Sequence, residues 1–72
     1  MAEEIEIVEI HAFDELIKLK EAFENTNKVA VDIRNIKDTN IRRRILDFLT
    51  GIAFGRSSKV RVLNKDGVYL IV

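Results

Sequence analysis

A chain of 72 residues is long enough for one packed domain and too short for two, because a half-length unit cannot bury enough apolar surface to offset its chain entropy. It has no cysteine, which excludes disulfides, thiolate nucleophiles and cysteine-based zinc sites. With 47% hydrophobic and 33% charged residues the composition is globular, and twelve Lys and Arg balanced by twelve Asp and Glu lack the positive excess of a dedicated nucleic-acid binder.

Charge is nonetheless uneven along the chain. Residues 1–24 carry eight acidic and two basic side chains, and residues 25–72 carry four acidic and ten basic. In a fold such a split either survives as a surface dipole or disappears by pairing. No run approaches the roughly 18 apolar residues of a membrane span, and the acidic N-terminus lacks the layout of a signal peptide, so the expectation is an intracellular chain.

Residues 4–10 alternate apolar and acidic positions with a phase break at Ile7-Val8, which predicts a first strand with a bulge or with two buried faces. From Ala12 to Glu24 the apolar residues Ala12, Leu16, Leu19 and Phe23 recur at helical spacing, flanked by Phe13 and Ile17, with Asp14 and Glu15 in the favoured first turn. Asn25-Thr26-Asn27 ends this helix. Val29, Val31 and Ile33 then alternate as a second strand. Asp38-Thr39 supplies an N-cap for a longer helix reaching about Phe54, with the core stripe Ile41, Ile45, Phe48, Leu49 and Ile52 and a terminating Gly55. Lys59–Leu63 and Val68–Val72 read as strands of a hairpin turned by Asn64-Lys65-Asp66-Gly67.

The order is βαβαββ. Right-handed crossovers put both helices on one face of a mixed sheet, giving a two-layer α/β sandwich. The other face lacks a cover, and the apolar residues Val8, Ile10, Leu63, Tyr69 and Ile71 are expected on it. Covering even ~500 Å² of apolar surface contributes on the order of 12 kcal/mol gross, so the expectation is a homodimer, most simply through this sheet face, with helix-to-helix contact as the competing geometry. Gly51, inside the second helix at a cost of about 1 kcal/mol, suggests close approach of a second backbone or a peptide.

Chemistry-bearing groups are sparse. His11, the single histidine, stands at a strand-to-helix junction with no evident partner and reads as a surface or capping residue, and Ser57-Ser58 as a polar turn. Asp32, in a strand centre, is either a carboxyl raised by burial or a structural group accepting backbone or arginine hydrogen bonds; the second is the simpler reading. Glu3, Glu4, Glu6 and Glu9 match no metal-ligand spacing, and Gly51, Gly55 and Gly67 fit no phosphate-binding loop. The expectation is therefore no enzyme, no metal and no cofactor. Arg42-Arg43-Arg44 meets the positive end of a helix dipole, which invites an anionic partner unless Asp38 and Asp47 neutralise the cluster. Nucleic acid is disfavoured because no aromatic platform accompanies the arginines.

The segment Ile41-Arg42-Arg43-Arg44-Ile45-Leu46-Asp47-Phe48-Leu49-Thr50-Gly51-Ile52-Ala53-Phe54-Gly55 closely resembles the second helix of the SepF cell-division family: a basic pair, two aliphatics, Asp-Phe, a small-residue turn and Gly, then an aromatic. Phe13-Asp14-Glu15, the Val29–Ile33 strand with its Asp32, and Lys59-Val60-Arg61-Val62 followed by Gly67-Val68-Tyr69-Leu70 resemble flanking parts of the same family.

The resemblance implies a non-enzymatic adaptor that dimerises, assembles further, binds the C-terminal tail of the tubulin-like protein FtsZ and links it to the membrane at the septum, on the cytoplasmic side. It points to Arg42, Arg43, Leu46, Phe48, Ala53 and Phe54 as peptide contacts, while Val8, Ile10, Gly51, Leu63, Tyr69 and Ile71 are the expected dimer interface. The family's N-terminal amphipathic helix has no counterpart here, so membrane contact is expected only indirectly. The alternative is a self-assembling filament or ring module with no peptide ligand. Abundant Glu, Lys, Arg and Ile without Gln or Cys suit a thermophile, and the resemblance to SepF in so short a chain suggests an archaeal source.

Overall fold

In the computed structural model, which describes residues 5–72, the elements follow the expected order. They are β1 (Glu6–Glu9), a 3₁₀ turn (Phe13–Leu16) leading into α1 (Ile17–Asn25), β2 (Val29–Asp32), α2 (Thr39–Gly55), β3 (Val60–Asn64) and β4 (Val68–Ile71). Glu3 and Glu4, including the start of the predicted first strand, lie outside the described residues. The sheet order is β1-β2-β4-β3, with β1 parallel to β2 and the other two pairings antiparallel. This is a mixed four-stranded sheet with two helices, a two-layer α/β sandwich.

Both helices cover one face. Leu16, Leu19 and Ala22 from the first helical segment and Ile45, Leu49 and Ala53 from α2 form one core with Val8, Ile10, Val29, Val31, Ile33 and Ile71. The strand register explains this grouping: Val8 pairs with Val31, Val29 with Ile71 and Val31 with Tyr69, so these residues share a side of the pleat. Placing Val8, Ile10, Tyr69 and Ile71 on the uncovered face is therefore corrected. All four lie on the helix side, and Val8, Ile10 and Ile71 are buried in the core. The phase break in the first strand misled the expectation, because Ile7 and not Val8 is the residue turned outward, 70% exposed.

The uncovered face carries one apolar row across three strands, Ile7, Ala30 and Leu70, ending in Arg61 on β3. The next row, Glu9, Asp32 and Val68, is mostly acidic. The bare side is thus less apolar than the sequence pattern suggests.

Local chemistry fixes the ends of the elements. Asp38 caps α2, its Oδ1 accepting from the amides of Asn40 (2.9 Å) and Ile41 (3.2 Å). The expected terminator, Gly55, is instead the last helical residue. Ser57 takes the left-handed conformation (φ 57°), with Ser58 N–H donating to the Ala53 carbonyl at 2.7 Å and Ser57 N–H to that of Phe54 at 3.2 Å, which is a Schellman closure. At the start of the first helix Ala12 offers no capping side chain, and the Glu15 carboxylate accepts from the His11 amide at 2.5 Å. The opening turn, Phe13–Leu16, winds as 3₁₀, as helix starts often do.

Candidate functional site

Arg42, Arg43 and Arg44 leave α2 in three directions, because consecutive residues are spaced about 100° around a helix. Arg42 is half-buried and donates from Nη2 to the Asp66 backbone carbonyl at the β3–β4 turn. Arg44 lies over the Phe13 ring, 4.8 Å from its centroid. Arg43 is exposed to solvent. None of the three pairs with Asp38 or Asp47 among the described residues, so the neutralised cluster is not what forms.

Apolar surface on α2 divides into two flanks. Phe48, 42% exposed, is on the flank facing α1, where it helps line a groove of about 480 Å³ between the helices. The groove floor and far wall come from Leu16, Ile17, Leu19 and Phe23, with Ile52 beside Phe48. Lys20, Glu24 and Arg56 stand at the rim, the Arg56 guanidinium 4.3 Å from the centroid of Phe23. Ile17, 70% exposed, leaves the mouth of the groove apolar.

The opposite flank carries Arg43, Leu46 and Phe54, each roughly 120–160° from Phe48 around the helix. Leu46 is half-buried against the core, whereas Phe54 is 88% exposed, so it does not fold back on the core. The six expected peptide contacts therefore do not make one patch. Ala53 is corrected outright: it is buried between helix and sheet and has no surface to offer. Helical spacing hid the rest of the groove, since Ile17, Phe23 and Arg56 are recruited from a second helix and a loop.

Gly51 is exposed, and a Cβ built there meets nothing within 4 Å, as is true of Gly55 four residues on. Among the described residues, none occupies the space a side chain would take at either glycine. Leu63, the bulged residue of β3 between the paired Val62 and Asn64, is 55% exposed.

Polar clusters read as structural. Asp32 is buried and accepts from the Arg34 side chain (Nε to Oδ1 3.0 Å, Nη2 to Oδ2 2.8 Å) and from the Arg34 amide (3.0 Å). The Arg34 side chain, with its amide second, holds the Asp32 carboxyl below the usual aspartate range despite burial. His11 is a half-exposed surface residue between Glu9 (3.5 Å) and Glu15 (3.2 Å). Glu15 is lowered to about 2, chiefly by the His11 amide and then by Lys18. Among the described residues no cluster of three metal-ligating side chains occurs, and no helix is long and apolar enough to cross a membrane.

A protein-family model described as Cell division protein SepF matches residues 5–72, essentially the whole chain. No curated protein matches it.

Proposed function

Because the chain belongs to the SepF family of cell-division proteins, we propose that it is a division adaptor: a homodimer that holds the C-terminal tail of FtsZ against α2 at the septum, linking it to the inner face of the membrane. The observation that carries this reading is the apolar groove between α1 and α2, walled by Phe48 and rimmed by Lys20, Arg56 and a single carboxylate, Glu24. A short amphipathic peptide suits such a groove, burying alternate apolar side chains while its carboxylates meet the rim cations. Phe48 is then the central anchor, Arg43, Leu46 and Phe54 lie outside the groove on the opposite flank, Arg42 lies against the β3–β4 turn, and Ala53 contributes only packing.

Calorimetric titration of the folded protein with an FtsZ tail peptide tests the reading. We expect micromolar affinity that weakens with salt, and a roughly tenfold loss on Phe48→Ala, the scale of one buried aromatic anchor. A titration without heat or spectral change overturns it. The exposed Phe54 and Ile7 favour one second reading, a module whose only ligand is itself. Light scattering that grows with protein concentration, in the absence of peptide binding, distinguishes that case.

A further inference from the structure

Away from the groove, a second concavity of about 400 Å³ opens where the β2–α2 loop, the start of α2 and the β3–β4 turn meet. Four cationic side chains line it, Arg34, Lys37, Arg42 and Lys65, over a floor from Ile36, with Asp66 the one acidic residue of the lining and Asp32 behind Arg34. Two of the cations are fixed in place. Arg34 is locked by its two-pronged contact with Asp32, and Arg42 is tethered to the Asp66 carbonyl. The turn is shaped around Arg42: Gly67 has φ +131°, and a Cβ there would overlap the Arg42 guanidinium.

Lys37 and Lys65 form no ion pair among the described residues. Arg34 is already matched by Asp32, so the unmatched charge is that of Lys37, Lys65 and Arg42 against Asp66 alone, and an anion between these cations relieves their repulsion. A single carboxylate is satisfied by one arginine fork. Cations converging from three chain segments instead match the oxygens of a phosphate group, with Arg42 giving direction, the lysines point charge, and Arg34, its fork taken by Asp32, forming a wall.

We propose that this pocket is a phosphate-binding site, taking either the headgroup phosphate of an anionic lipid or a free phosphorylated solute. The inference is independent of the peptide groove, with which the pocket shares no residue.

The test is ¹H–¹⁵N NMR of the folded protein titrated with inorganic phosphate at fixed ionic strength, chloride being the control. Alongside it runs sedimentation with phosphatidylcholine vesicles with and without phosphatidylglycerol. Shifts confined to the amides of Lys37, Arg42, Lys65 and Gly67, weakened roughly tenfold in Lys37→Glu/Lys65→Glu, support a soluble ligand. Selective retention by phosphatidylglycerol vesicles that this variant loses, with free phosphate too weak to register, supports the lipid source. Asp66→Asn is expected to tighten whichever interaction is seen. Phe48→Ala leaves it unchanged, so failure of the peptide reading and failure of this one are separable. Absence of both responses, shifts centred elsewhere, or a Lys37→Glu/Lys65→Glu defect seen only with the tail peptide overturns the proposal.

Discussion

Asp32 shows how one carboxylate can be buried at little cost. Three hydrogen bonds from Arg34 favour its charged form, and they outweigh the desolvation that alone would raise its pKa. A group held below its unfolded value contributes stability that is complete above the unfolded pKa and is lost as pH falls through the folded one. Stability is therefore expected to decline as pH drops below about 4, with Glu15 contributing in the same direction down to about 2. Asp32→Asn removes the charge-assisted bonds to Arg34, lowers stability at pH 7 by about 1–2 kcal/mol and flattens the acid limb. Denaturant melts between pH 2 and 7 measure both effects. That Asp32 is structural was legible from its place in a strand of alternating apolar residues. Its partner two residues along was not, because that contact depends on how the chain leaves the strand.

Helices and strands were read well where periodicity and caps agreed. Asp38 and the 17-residue α2 follow from a capping aspartate and a clean stripe at Ile45 and Leu49. The hairpin follows from Asn64 to Gly67, where the Asn64 carboxamide accepts the Asp66 amide at 2.7 Å. Less legible was the end of α2, since a serine holds the left-handed position that glycine usually takes. Gly51 carries the element-scale prediction. Its Cβ position opens onto empty space, so Gly51→Ala should raise the stability of an isolated protomer by about 1 kcal/mol, the helical propensity difference. If the same substitution weakens self-association in sedimentation equilibrium, a second backbone packs at Gly51, and the glycine is kept for that contact.

For the whole molecule, the sequence conveyed that two helices cannot cover both faces of the sheet, and the architecture bears that out. Which residues face outward was lost, because β1 changes phase at Ile7-Val8 and the sheet register across β2 and β4 cannot be seen in one strand. The expected dimer surface is accordingly redrawn around Ile7 and Leu70, with Ala30 between them and Leu63 near the β3 edge. If a second copy covers this row, Ile7→Lys/Leu70→Lys places repelling charges in the contact. Size-exclusion with light scattering should then report a monomer that keeps the folded circular-dichroism spectrum, because neither side chain belongs to the core, and that melts lower than the parent by the stability association had added. A parent protein already monomeric at micromolar concentration refutes the dimer.

The bulge at Leu63 has a bearing on how copies can add together. It interrupts the hydrogen-bonding rim of β3 between Val62 and Asn64, while the opposite rim, on β1, is flanked by the carboxylates of Glu6 and Glu9. A kinked margin on one side and negative charge on the other discourage sideways zippering into endless ribbons. If copies add into a filament, stacking of broad surfaces is the geometry these edges favour, and its repeat would be set by the thickness of the sandwich and not by the spacing of neighbouring strands.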